Sequence, residues 1–273
     1  MPETVRLTVI GANGRVGRLL QAAVRLGAAR GLGLSWVGRA EWDILTNGPA
    51  LLPPCDVMID LAGVTSGKDV NLNPRLAEAV AVAAKTLGAR LIFVSSAGVY
   101  PGGPHAFSEG DLPAPKGAYG QSKLAAEQAV REVLPQAMIL RLGNVAGADA
   151  VLAGQGAGPV LLDQTDDGRG PVRSYIGPET LARALFRLVR LSAQGATLPQ
   201  VLNLAEPGAV AMADLLDAAQ RAWDFHPDRQ AAVPCALLDT SRIVDLFPMP
   251  PANPHRMVKE LHRLAPHLSG GGA

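Results

Sequence analysis

An α/β fold with a parallel sheet covered on both faces is predicted by three features of this 273-residue sequence. Short strand-like apolar runs alternate with stretches of helical periodicity. The first run breaks at once into a glycine turn that opens a helix. At 48% hydrophobic and 18% charged residues, the chain can bury a substantial core and is unlike a disordered one. Right-handed crossovers would make the sheet doubly wound.

The elements follow in order. Residues 5–10 read as a buried strand, and residues 15–26 as a helix with Val16, Leu19, Leu20, Ala23 and Val24 on one face. Residues 34–37, 56–61 and 91–94 read as the next three strands. The alanine-rich stretch 72–87 and residues 120–134 read as helices, with a strand at 137–142 between the latter and a change of texture. Residues 143–173 are rich in Gly, Asp and Gln, show little periodicity and are expected to form a substrate-facing loop region. A helix at 179–191, a strand at 201–204 and a helix at 212–222 come next. Four prolines make 247–254 an irregular crossing, and 255–268 is expected to close the chain as a short amphipathic helix before a disordered glycine tail. The expected organisation is one compact unit: a core of 1–145 plus 174–205, and a small C-terminal substrate-binding region of 146–173 plus 206–273.

Composition excludes several classes of function. A formal net charge of +1 gives no general attraction for nucleic acid or an anionic membrane, and the few aromatics argue against a base-stacking surface. No apolar run is long enough to span a bilayer, and no cleavable signal peptide is visible. Cys55 and Cys235 have no metal-like spacing, which fits a reduced cytoplasmic setting and two small buried side chains. Asp163, Asp166 and Asp167 resemble a cation site only loosely, and no metal is expected. Trp36, Trp42 and Trp223 read as packing residues.

The first strand ends in Gly11-Ala12-Asn13-Gly14-Arg15-Val16-Gly17. Glycines here permit a tight turn and close approach of a pyrophosphate, and the helix that follows turns its positive end to the phosphates. The position after a first strand and before a helix is the context this motif needs, and it makes a Rossmann-type fold binding NADP or NAD the expectation. Gly11, Asn13, Gly14, Arg15, Val16 and Gly17 are the candidate cofactor residues of the turn. After the second strand stands Gly38-Arg39, with no carboxylate for an adenosine ribose and a guanidinium suited to a 2′-phosphate. This favours NADP; the alternative for Arg39 is a solvated surface arginine. Asp43 could meet the adenine amino group, or simply belong to a surface turn.

Tyr119 and Lys123 are four residues apart, so a helix puts them on one face. A free tyrosine, with a pKa of about 10, is a poor acid or base near neutrality. A neighbouring ammonium would favour the phenolate, and the pair could then exchange a hydroxyl proton while hydride moves to or from nicotinamide. Ser96, at the end of the fourth strand, could hydrogen-bond a substrate oxygen; the alternative is a turn cap.

Taken together the sequence resembles the extended short-chain dehydrogenase/reductases, also called NAD-dependent epimerase/dehydratases. The resemblance runs from Val5 to about Ala222. It rests on the glycine turn, Asp60-Leu61-Ala62-Gly63, Asn73, Ser95-Ser96-Ala97-Gly98-Val99-Tyr100, Glu109, the Tyr119/Lys123 pair, Arg141-Leu142-Gly143-Asn144-Val145, Arg173-Ser174-Tyr175-Ile176 and Asn203-Leu204-Ala205. It implies an oxidoreductase in which Tyr119 is the acid/base, Lys123 binds the nicotinamide ribose and tunes Tyr119, and Ser96 holds the substrate oxygen. It further implies that Asn73 supports the hydrogen-bond network, that Leu61, Ala62 and Gly63 line the cofactor, and that Asn144 and Arg173 are candidates for substrate contact. The substrate would be sugar-like or nucleotide-sugar-like, and the chain a homodimer joined through the helices at 72–87 and 120–134.

The sequence departs from that pattern in three places. Ala97-Gly98 stand where dehydratases carry an acidic pair, which disfavours dehydration. Gly177-Pro178-Glu179 replace a His followed by acidic residues, and the chain is short in its substrate half. Three readings of function stay open: a dehydrogenase or reductase, a sugar epimerase, and a dinucleotide-binding sensor without turnover, which typically lacks the Tyr-Lys pair. Arg141 and Arg173 could meet a substrate anion or form ion pairs. His105 and Glu109 could touch substrate or face solvent.

Overall fold

The computed structural model describes residues 4–153, 158–166, 168 and 170–268. Asp167 and the glycine tail lie outside the described residues. Six strands make the main sheet: β1 (Val5–Ile10), β2 (Leu32–Val37), β3 (Val57–Asp60), β4 (Arg90–Ser96), β5 (Met138–Leu142) and β6 (Val201–Leu204). Their order is β6-β5-β4-β3-β1-β2, and every neighbouring pair is parallel. The chain passes from β2 back across β1 to β3, so the direction of winding reverses between β1 and β3. Crevices for ligands open at such a reversal, outside the carboxyl ends of the strands.

Alternation along the strands divides the core in two. Leu7, Val9, Val57, Ile59, Ile92 and Leu140 face α1 (Arg15–Arg25) and, further along the chain, the helix Pro178–Ala193. Ile10, Met58, Phe93 and Ile139 face α2 (Asn73–Thr86) and α3 (Ala118–Val133). On the second side Ala77, Ala81, Ala84 and Ala126 keep the two helices close to the sheet and to each other. Each fully buried Leu, Ile or Val contributes about 1.5–3 kcal/mol relative to exposure. The helix Pro178–Ala193, hereafter α4, buries Leu181, Leu185 and Leu188 completely.

The stretch 143–173, expected to be a loop region, holds regular structure among its described residues. Asn144–Val145 pairs with Tyr175–Ile176, and Val160–Gln164 pairs with Trp223–Gln230. Val172–Arg173 pairs with Cys235–Leu238, which in turn pairs with Ala106–Phe107. These partners lie far apart in sequence, so no local periodicity announces them. The helix expected at 212–222 ends at Ala218, because Gln220 takes a positive φ of 52° and Trp223 enters a strand. Residues 247–253 are irregular, as the prolines predict, until the Asn253 side chain accepts Arg256 N–H at 2.8 Å and starts α5 (Pro254–Leu264).

Glu260 of α5 is buried and caps α4, accepting Glu179 N–H at 3.0 Å, Thr180 N–H at 3.1 Å and the Thr180 hydroxyl at 2.8 Å. A carboxylate at this point satisfies orphan helix donors and matches the positive end of the helix. No helix among the described residues is long and apolar enough to cross a membrane. Cys55 is buried and Cys235 half-buried, both free. Trp42 is buried, Trp36 packs on the core, and Trp223 meets Phe225 edge-on.

Candidate active site

Two adjoining cavities lie over the carboxyl ends of the central strands. One, of about 300 Å³, is lined by Asn13, Val37, Gly38, Arg39, Trp42, Asp43, Leu61, Ala62 and Gly63, among others. The other, of about 720 Å³, takes in Arg15, Val16, Gly17, Ser96, Tyr119, Lys123 and Asn144. Gly11, Gly14, Leu61 and Gly63 line both. The trough they form has the winding reversal at its middle, the end of β2 on one side and the Tyr119 helix on the other.

The glycine turn fits a dinucleotide. Gly11 has φ +83°, and a Cβ there would come within 2.7 Å of Ala62 N, so the turn lies against the end of β3 with backbone on both sides. Helix α1 starts at Gly14 with no side-chain cap and no acidic residue in its first turn. Its leading N–H groups are therefore left for an anionic ligand. Gly11→Ala is expected to cost about 1–3 kcal/mol of stability and to abolish detectable nucleotide binding, checked by thermal melting and calorimetry. Normal binding by this variant would show that the turn does not carry the pyrophosphate.

Just past the end of β2, Arg39 is 87% exposed and 3.9 Å from Asp43. Glu41 turns back to the end of β2, its Oε2 accepting Gly38 N–H at 2.8 Å, but it is not among the residues that line the cavity. The sequence signal is a carboxylate four residues past the end of the strand. Trp42 supplies the buried wall below, its indole N–H donating to Gly48 O at 3.2 Å.

The Tyr119 end of the trough is assembled by close backbone contact. A Cβ on Gly120 would collide with Gly98 O, so two facing glycines let the start of α3 press on the turn 97–99. This sets Tyr119 beside Ser96. The Ser96 Oγ accepts Gly98 N–H at 3.0 Å, so it is the turn cap. Burial pushes the Tyr119 hydroxyl above its ordinary value, with Ser96 opposing. The expected lowering by Lys123 is not present. Lys123 is buried, its Nζ donates to Val94 O at 2.7 Å and sits 4.3 Å from the Phe93 ring centroid. The ammonium is thus turned to the sheet rather than to the phenol.

Asn73, first residue of α2, is buried and fully bonded. It accepts Val64 N–H at 2.7 Å and donates to Val64 O at 2.9 Å and to Ser122 Oγ at 2.9 Å. It ties the strand-end segment holding Gly63 to the helix holding Tyr119, and so positions both.

Arg141, a candidate for a substrate anion, is instead sealed in an ion pair. Its Nη2 lies 2.8 Å from Glu127 Oε2, with side-chain exposures of 5% and 3%. Its Nη1 donates to Tyr100 at 2.8 Å, and Ser95 donates to Glu127 at 2.5 Å. Glu109 is likewise inward, its side chain 4% exposed, accepting Asn203 N–H at 2.9 Å and pairing with Arg242 at 3.5 Å. His105 lies against Phe107. Arg173 does not line the trough; it donates to Val172 O, Val233 O and Pro234 O.

The sequence reasoning missed Thr65, Ser66 and Asp149 in the larger cavity. Asp149 accepts the Tyr175 hydroxyl at 2.6 Å, and burial raises its pKa against that bond. Arg15 crosses the trough to donate to Ala148 O at 3.1 Å. Among the described residues, no group of three His, Cys, Asp or Glu side chains could hold a metal ion, and Asp163 is paired with Arg229 at 3.1 Å.

The fold and site define a Rossmann-type α/β protein laid out as in the extended short-chain dehydrogenase/reductases. Residues 57–167 match the RmlD substrate binding domain family. A dTDP-4-dehydrorhamnose reductase of Mycobacterium tuberculosis (strain ATCC 25618 / H37Rv) is 33% identical over 226 residues, 75% of this chain and 71% of that protein. The chain belongs to the dTDP-4-dehydrorhamnose reductase family. Among solved structures, a dTDP-4-dehydrorhamnose reductase from Bacillus anthracis in complex with NADP superposes with a TM-score of 0.74 at 20% identity, covering 96% of this chain and 99% of that one. MoeE5 in complex with UDP-glucose and NAD gives a TM-score of 0.76 at 19% identity, covering 97% and 100%. Both share the fold.

Proposed function

We propose that this chain is an NADP- or NAD-dependent reductase of a nucleotide-linked dehydro sugar, of the kind named in its relatives. The observation that carries the reading is the placement of Tyr119 and Ser96 in one cavity with the uncapped glycine turn. The family membership supports reduction over epimerisation, and the retained Tyr119, Lys123 and Ser96 favour an enzyme over a sensor.

In this reading Gly11, Gly14 and the start of α1 take the pyrophosphate, Arg39 and Asp43 flank the adenosine, and Leu61, Ala62 and Gly63 line the trough. Asn13, Arg15, Val16 and Gly17 complete the turn's contact surface. The bound dinucleotide supplies hydride to the carbonyl carbon. Ser96 holds the carbonyl oxygen, and the raised pKa of Tyr119 keeps its proton in place until that oxygen becomes negative. The Tyr119 O–H bond then breaks as the product hydroxyl forms. Lys123 binds the nicotinamide ribose and supports the phenolate left behind, which requires its Nζ to turn from Val94 O. Asn73 positions, and Asn144 extends the substrate side. The segments 146–173 and 206–268 form the substrate region, and two copies pair through α2 and α3.

Purified protein mixed with NADPH and dTDP-4-dehydrorhamnose should oxidise the nucleotide in step with loss of the keto sugar. Failure with this and related keto sugar nucleotides would refute the reading. Arg39→Ala is expected to weaken NADPH by at least about tenfold with NADH unchanged, because only the 2′-phosphate needs the guanidinium. Equal loss for both nucleotides in calorimetry would remove that contact.

A further inference from the structure

The site contains a buried carboxyl that the chemistry above does not use. Asp60 ends β3 and is 1% exposed. Its Oδ1 accepts Ala62 N–H at 2.8 Å, while its Oδ2 is buried without a hydrogen-bond partner. An oxygen left this way costs free energy and calls for a reason. Strand alternation puts the side chain on the sheet face that α3 covers, with Met58 and Phe93. In register Asp60 lies between Ile10 of β1 and Phe93 of β4, both apolar. Lys123 sits on that same face, over the Phe93 ring at 4.3 Å, with Val94 O as a bonded partner at 2.7 Å. An ammonium has three donors.

We propose that Asp60 is the counter-ion that keeps Lys123 protonated at the base of the trough, and so sets the alkaline limit of dinucleotide binding and turnover.

The surrounding charges support this assignment. Lys123 is the charged group that bears on Asp60. Two carboxylates bear on Lys123, Asp60 from the sheet and Glu127 one helical turn on. Glu127 is already engaged by Arg141 of β5 and by Ser95 of β4. Helix α2 contributes the neutral Asn73, and Tyr119 is neutral in the resting site. Asp60 is therefore the carboxylate not already matched by another cation. Burial pushes the Asp60 carboxyl up to about 7 against the pull of Lys123. Burial pulls Lys123 down to about 8, with Asp60 and then Glu127 opposing. The lysine would lose its charge as pH rises through that value, and removing Asp60 moves the loss to lower pH.

The role as a limit on turnover rests on the reductase reading; the ionic coupling does not. The coupling is read in cofactor-free protein by NMR, from the carboxyl carbon of Asp60 and the Cε of Lys123. Asp60→Asn keeps the shape and is expected to lower the Lys123 titration by about one pH unit. Lys123→Met, a second variant should the first not fold, is expected to raise the Asp60 titration by a similar amount. The alkaline limb of NADPH binding, and of kcat where turnover is found, should move down with Lys123 in Asp60→Asn. A Lys123 titration unmoved in Asp60→Asn, or an Asp60 titration unmoved in Lys123→Met, overturns the proposal. So does a lysine shift that leaves the pH profile of NADPH binding unchanged. Coupled titrations in a protein that reduces no keto sugar would sink the reductase reading and leave the counter-ion standing.

Discussion

Tyr119→Phe is expected to lower turnover by about 10²–10⁴-fold while nucleotide binding persists, since the proposed mechanism makes the phenol the proton donor and it forms no part of the glycine turn. The substitution removes one oxygen from a half-buried side chain whose ring lies near Gly98, so packing changes little. Its hydroxyl is held above its ordinary pKa by burial, which makes it a donor at neutral pH rather than a phenolate waiting for a proton. Reduction is the direction such a group serves best. A variant with ordinary kcat would exclude Tyr119 as the acid and leave Ser96 or solvent in that role. A variant that also fails to bind NADPH would instead show that the ring supports the trough.

The largest effect on stability is expected from Glu127→Ala, about 3–5 kcal/mol. The loss strands the Arg141 guanidinium, 5% exposed, with the Tyr100 hydroxyl as its remaining side-chain partner on this network. It also frees Ser95, directly before Ser96, and so loosens the reacting end. The melting midpoint should fall by about 10 °C or more. Replacing both members with apolar residues, Glu127→Leu with Arg141→Met, should recover most of the loss, because the cost lies in an unpaired buried charge. A single variant as stable as the parent would mean that water reaches the guanidinium and that the pair is not sealed.

The parts of this protein legible in its sequence are those whose cause is local. The strand at 5–10, its glycine turn and α1 follow from an apolar run, a backbone too close to Ala62 for a side chain, and a 3.6-residue spacing. Tyr119 and Lys123 share a helix face and come to the same cavity, along with Ser96 and the ends of β1 and β3. What sequence reading missed depends on distant partners. The strand Trp223–Gln230 contains Pro227 and several charged residues, reads as a loop, and exists through its pairing with Val160–Gln164. For Arg141 the sequence leaves a substrate anion and an ion pair both open, and α3 decides for the ion pair by placing Glu127 against it. Lys123 four residues from Tyr119 suggests a tuned phenol, yet the buried carbonyl of Val94 takes the ammonium instead. Glu41 reached the end of β2 by a turn that no motif announces.

The most direct test of the central claim is isotope transfer. NADPH deuterated at the transferable position is mixed with the protein and dTDP-4-dehydrorhamnose, and the sugar product is weighed by mass spectrometry. A reductase places one deuterium on the product carbon and leaves oxidised nucleotide in equal amount. Unlabelled or unreduced sugar, with the deuterium retained on the nucleotide, would contradict the account.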